Sequence, residues 1–151
     1  PEAAVQFEVL ARGQGSADAA IRSEILAQAG NAWTLAKMPH RAIDAFNEAL
    51  NVLAQSEEPH PNQEAGIRLD RARLLMLGDE VEAARPDVDA VLFLDGINKR
   101  RHAEALALRS DLWREAGQLE QAEADATEAL GFDPEEGTAY LARGRARAAL
   151  E

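Results

Sequence analysis

The 151-residue chain contains no cysteine, so disulfide cross-links, thiolate chemistry and cysteine-ligated metals are excluded and the redox compartment is left open. Aromatic residues are scarce, with two Trp, one Tyr and four Phe, so any core must rest on aliphatic side chains and alanine. No apolar run approaches the ~18 residues of a membrane-spanning helix, and membrane insertion is not expected. No charged-then-apolar signal segment opens the sequence. Cations are outnumbered, 16 Lys plus Arg against 27 Asp plus Glu, for a net charge of −11. Binding along a nucleic-acid backbone needs basic density, so nucleic acid is not an expected partner either. The three histidines, His40, His60 and His102, lie far apart and are read as solvated surface residues. No HExxH, Cys/His cluster or glycine-rich phosphate loop occurs. Glu120, Glu123, Asp125 and Glu128 fall where a solvated helix face is expected. Neither catalytic residues nor a metal nor a cofactor is therefore predicted, and the chain is not read as an enzyme.

What is present is a helical pattern with small residues at regular places. In Gly117–Pro134, Leu119, Ala122, Ala126, Ala129 and Leu130 share one helical face. Gly117 can adopt the positive φ that ends a preceding helix. Asp133-Pro134 stops the segment, because the residue before proline is pushed out of the helical region. A helix this short needs a partner, and its alanine face lets another backbone come close. The segment upstream supplies that partner, with Leu106, Ser110 and Trp113 at i, i+4 and i+7.

This pair resembles a tetratricopeptide repeat (TPR). The resemblance lies in the large–small–aromatic triplet Leu106, Ser110, Trp113, the turn glycine Gly117, the row Ala122, Ala126, Ala129, and Pro134. Ala126 departs from the pattern, since the family prefers a large ring there. Leu26, Gly30 and Trp33, followed by Ala42, Phe46, Ala49 and Leu50, form a second clear unit. It lacks the turn glycine, and Lys37-Met38-Pro39 stands in its place. The family period is about 34 residues. One period beyond Leu106 and Ser110 lie Tyr140 and Gly144, the start of another repeat.

The resemblance implies an all-α chain, a TPR-like α-solenoid in which antiparallel helix pairs wind into a right-handed superhelix. About three repeats and a capping helix are expected. Residues 1–15 read as an N-terminal helix and linker, with Val5, Val9 and Leu10 on one helical spacing and Phe7 off that line. Gly13-Gln14-Gly15-Ser16 reads as a break, with Ser16 or Asp18 as the next helix cap. The repeats are placed at 17–55, 62–95 and 98–134, and the capping or truncated-repeat helix at 136–151. The middle repeat is the least regular. Its first helix is read from Gly66 to Leu77, with Ile67, Leu74, Leu75 and Leu77 apolar, followed by a Gly78-Asp79 turn. Pro86 falls inside its second helix, which is expected to be kinked or to start late. A chain that opens on Pro1 and stops within a repeat reads as a fragment or processed product. The cytoplasm is favoured, and the bacterial periplasm is the alternative for a processed fragment.

For function, the resemblance implies a concave groove lined by the first helices, where a partner protein's peptide or helix would bind. The expected lining is Asn31, Thr34 and Leu35 from the first repeat and Arg68, Ala72, Leu75 and Met76 from the middle one. Asp111, Arg114 and Glu115 follow, then Leu141 and Arg145. Arg68, Arg114 and Arg145 are expected along one wall, facing an acidic partner. Trp33 and Trp113 are read as packing residues, and Lys99-Arg100-Arg101-His102 as a solvated helix start. Chaperone-binding TPR domains hold a C-terminal carboxylate with lysines, an arginine and asparagines. Here Asn31 fits one such place, but Ala27, Glu104 and Leu108 occupy places for cations, so chaperone-tail binding is not expected. The alternative is a structural or regulatory segment of a larger protein that forms a homo-oligomer through its terminal helices, with Tyr140, Leu141 and Leu150 at the contact.

Overall fold

A computed structural model describes residues 1–13, 18–78 and 80–150, and within them the protein is entirely helical. The described helices are α1 (Glu2–Gly13), α2 (Ala19–Leu35), α3 (Pro39–Leu53), α4 (Pro61–Leu77), α5 (Val81–Leu92), α6 (Lys99–Glu115), α7 (Leu119–Phe132) and α8 (Gly137–Leu150). Their starts follow from local chemistry. Asp18 caps α2, its side chain accepting from the Ala20 N–H at 2.9 Å, and Asn98 caps α6 by accepting from Arg101 at 2.8 Å. Pro39 and Pro61 open α3 and α4, where the missing N–H has no intrahelical partner to lose. Gly117 has φ 73° in the α6–α7 turn, and Lys37 has φ 58° in the α2–α3 turn. A lysine thus holds a left-handed position that glycine would take at less cost. The expected Gln14–Ser16 break and the aspartate of the Gly78-Asp79 turn lie outside the described residues.

Each helix packs on the next, and α2–α3, α4–α5 and α6–α7 make the helix pairs. Alanine, glycine and serine let the backbones close. Ala122, Ala126 and Ala129 are all 0% exposed on the inner face of α7, and the Ser110 hydroxyl donates to the Ala122 carbonyl across the pair at 2.6 Å. A first core joins α1, α2 and α3 around Trp33 and Phe46. A second joins α4, α5 and α6 around Leu69 and Val88, and a third joins α6, α7 and α8.

Four readings of the sequence change. Helix α1 turns Ala4 and Ala11 into the core with Phe7 against it, while Val5, Val9 and Leu10 are exposed. Alanine allows a closer approach to α2 than the larger side chains would. Leu77 is exposed at the end of α4. Of the two alternatives for the second helix of the middle repeat, the late start is excluded, since α5 starts at Val81 and contains Pro86. His102 is half-buried and stacks on Phe132, with ring centroids 4.2 Å apart. The Pro86 ring is exposed, so the fold gains little from it, while the Glu82 carbonyl loses its intrahelical donor. Pro86→Ala is expected to stabilise the protein by about 1–2 kcal/mol, a fraction of the full proline penalty. A thermal melt checks this, and a lower melting temperature would count against it.

Candidate partner-binding groove

Helices α2, α4 and α6 are 17 residues each and can be laid over one another from their first residues. Leu26, Arg68 and Leu106 then share one place in the pair, as do Gly30, Ala72 and Ser110, and Trp33, Leu75 and Trp113. The next residues, Asn31, Arg73 and Asp111, and then Thr34, Met76 and Arg114, form the face these helices share. Helix α8 continues it: Arg145 lies 34 residues beyond Asp111 and donates to both of its carboxylate oxygens at 3.1 and 3.3 Å.

A line of polar contacts runs along this face. Asn31 donates to Asp70 at 3.5 Å, Arg73 donates to Asp70 at 3.0 Å, and Arg73 lies 3.8 Å from Glu104. Arg114 pairs with Glu115 at 2.5 Å and lies 3.7 Å from Asp111. Its Nε is buried without a hydrogen-bond partner. Two adjoining hollows open on this wall. One, of about 380 Å³, is lined by Arg73, Met76, Leu77, Leu108, Asp111, Arg114 and Arg145. The other, of about 200 Å³, adds Glu104, Ala107, Thr138 and Leu141.

The structure therefore brings together Met76, Asp111, Arg114, Leu141 and Arg145 among the expected residues. It does not place Arg68, Ala72 or Leu75 with them. Ala72 is 0% exposed and Leu75 is 9%, because they occupy the helix-crossing places of Gly30 and Trp33. Arg68 stands where Leu26 and Leu106 stand, and it pairs with Glu64 at 2.8 Å and Asp87 at 3.2 Å. It lines a separate hollow with Leu50, His60 and Leu94. Arg73 takes the wall position assigned to Arg68. Asn31, Thr34, Leu35 and Glu115 line neither groove hollow. The Thr34 hydroxyl donates to the Gly30 carbonyl of its own helix at 3.0 Å, and Leu35 is exposed. Arg73, Leu77 and Thr138 lie outside the groove lining that the sequence predicts. The signal for the first two was the spacing Arg68, Ala72, Leu75, which matches Leu26, Gly30, Trp33 once an arginine is accepted at the large position.

Asp125 is also corrected. It is 7% exposed and accepts from Arg109 at 2.6 and 2.9 Å and from the Trp113 indole at 3.0 Å. Hydrogen bonding to Asp125 raises the Arg109 pKa above its already high ordinary value. Trp33 is a packing residue at 1% exposure, its indole N–H donating to Glu8 at 2.7 Å. Arg100 and Arg101 bind Glu104 at 3.0 and 2.6 Å, so part of the basic run is tied to its own helix. Among the described residues no group of histidine and carboxylate side chains is arranged to hold a metal, and no helix is long and apolar enough to cross a membrane.

No family model and no curated protein matches the chain. Solved structures do. The Arabidopsis OM64 TPR domain matches with a TM-score of 0.70 at 23% identity, covering 86% of this chain and 98% of that one. The first TPR of Spaghetti (RPAP3), bound to the HSP90 peptide SRMEEVD, matches with a TM-score of 0.72 at 19% identity, covering 89% and 98%. The chain has the TPR fold. The second TPR domain of human RPAP3, in complex with the HSP70 peptide SGPTIEEVD, matches with a TM-score of 0.64 at 20% identity, covering 83% and 98%. In this protein Ala27 and Leu108 are buried, and Glu104 is held by Arg100 and Arg101.

Proposed function

We propose that the protein is an interaction module that holds a peptide or helix of a partner protein in the groove of α4, α6 and α8. The larger hollow carries this reading. It sets Arg73, Arg114 and Arg145 against a single carboxylate, Asp111, over Met76, Leu77 and Leu108. Arginines that share their carboxylates beside an apolar floor, in a chain of net charge −11, favour a segment with a carboxylate beside an aliphatic side chain. Asn31, Thr34 and Leu35 extend the same face toward α2, and Glu115 borders Arg114. The similar TPR domains that carry HSP90 and HSP70 peptides support peptide binding as the mode.

The test is selection of binders from a random peptide library, followed by titration of Arg145→Glu and Met76→Glu variants. Enriched peptides are expected to pair Asp, Glu or a terminal carboxylate with an aliphatic residue. Each substitution is expected to weaken the best peptide about tenfold, or ~1.4 kcal/mol, with the fold intact by circular dichroism. Unchanged affinity in both variants would place the partner elsewhere.

A second expectation separates this groove from its chaperone-binding neighbours. With Ala27, Glu104 and Leu108 at the cation places, the peptide SRMEEVD, although it carries carboxylates beside Met and Val, is expected to bind at least about tenfold more weakly than the selected peptides. Calorimetric titration giving equal affinities would contradict it. Self-association through two facing α8 helices would use the exposed Tyr140, Leu141 and Leu150, but charge opposes it. That helix, GTAYLARGRARAAL, carries three arginines and no carboxylate, so two copies would bring like charges together.

A further inference from the structure

The first turns of α2, α4 and α6 surround a further hollow, of about 540 Å³. In the register that aligns these helices, Ile21, Gln63 and Arg101 share one place, and Glu24 and Glu104 share the place a turn later. Arg101 lines this hollow, and the Glu104 that it binds at 2.6 Å lines the smaller groove hollow. The ion pair is therefore a wall common to both, and the new hollow continues the groove toward the helix starts.

Three side-chain amides in this hollow are held by one end only. Asn62 accepts from the Asn98 N–H, Asn98 accepts from the Arg101 N–H, and Gln63 donates to the Ala20 carbonyl, each at 2.8 Å. These backbone partners fix which end of each amide is oxygen and which is nitrogen. The NH2 groups of Asn62 and Asn98 and the side-chain carbonyl of Gln63 have no partner among the described residues. Beside them Ile21 is 53% exposed and Ile25 is half-buried. Both charged groups here are engaged, Arg101 with Glu104 and Glu24 with Gln28. Two donors and an acceptor next to aliphatic side chains match the main chain of an extended, uncharged segment.

We infer that the partner segment held in the groove continues past the Arg101–Glu104 wall into this hollow. There the three amides take its main chain and Ile21 takes a second aliphatic side chain. The inference rests on the groove reading and adds the partner's second anchor. Arg101 and Arg114 both lie on α6, and the helix between them rises by roughly 20 Å at ~1.5 Å per residue. An extended chain advances ~3.3 Å per residue. The partner is thus a linear segment with a carboxylate beside one aliphatic residue, and an uncharged aliphatic residue at least about six positions away.

The probes are peptides selected on the full chain from a random library long enough to span both hollows. They are titrated into the isotope-labelled protein, and the backbone amides and the side-chain NH2 signals of Asn62, Gln63 and Asn98 are followed. These side-chain signals and Ile21 are expected to move together with Met76, Leu108 and Arg114. Ile21→Glu, at an exposed place on α2, is expected to weaken the long peptides at least about tenfold with the fold intact by circular dichroism. The same peptides cut back to their groove half should bind this variant and the parent alike. Shifts confined to Met76, Leu108 and Arg114, or long peptides indifferent to Ile21→Glu, would overturn this inference and leave the groove reading standing. Shifts confined to the new hollow would overturn the groove reading and with it the continuity proposed here, and a library that yields no binder would remove both.

Discussion

Replacing Gly30 with leucine is expected to lower the melting temperature by roughly 6–12 °C, corresponding to about 3 kcal/mol for a chain of this size. A Cβ at Gly30 would lie 2.6 Å from Cε1, 2.7 Å from Cδ1 and 2.9 Å from Cζ of Phe46. The Phe46 ring is itself 0% exposed, so it has no free space into which to swing. Even one added carbon forces α2 and α3 apart, and leucine adds three more. The matched control is Gly144→Leu, at the same place on α8, where an added Cβ meets nothing within 4 Å. There the higher helix propensity of leucine is expected to leave stability unchanged or raise it by up to ~1 kcal/mol. Thermal melts of the two variants side by side decide the matter. Equal shifts would show that Gly30 and Gly144 do not share a repeat position.

The contrast between these glycines shows why so much of the fold was legible. Helix crossings demand small residues, and a small residue four after a large one and three before an aromatic one stands out in a sequence. Leu26, Gly30 and Trp33 announced α2, and Leu106, Ser110 and Trp113 announced α6. The middle repeat hid its register because Arg68 stands where a large apolar residue is expected. Its charge is accommodated by Glu64 and by Asp87 on the facing helix. Reading an arginine as surface moved the groove assignment off Arg73 and onto Arg68, Ala72 and Leu75. Asp125 misled for the same reason. A carboxylate between alanines looks solvated until its partner, 16 residues upstream, is recognised. On α1 the larger apolar residues attracted the eye, yet packing against α2 selected Ala4 and Ala11. Periodicity therefore located the elements, whereas the charge pairs that set side-chain direction depended on contacts between helices.

Asp125→Ala is expected to cost about 2–4 kcal/mol, somewhat below the usual cost of breaking a buried ion pair because part of Arg109 remains in water. The loss leaves three donors without an acceptor: two on Arg109 and the Trp113 indole. Arg109 has no protonation route out of this position, since its guanidinium stays charged at any pH where the protein folds. Removing both partners should cost much less than the two single changes together. The first helix pair already shows the alternative solution, for Ala29 and Ala45 occupy the places of Arg109 and Asp125 and are 0% and 4% exposed. The chain thus carries either both charges or neither at this crossing, as expected when an unpaired charge is the costly state. Chemical denaturation of Arg109→Ala, Asp125→Ala and the double variant forms a complete cycle. A coupling of about 1.5 kcal/mol or more is expected between the two positions, with the double variant close to the worse single one. Strict additivity would show that the pair is a surface decoration.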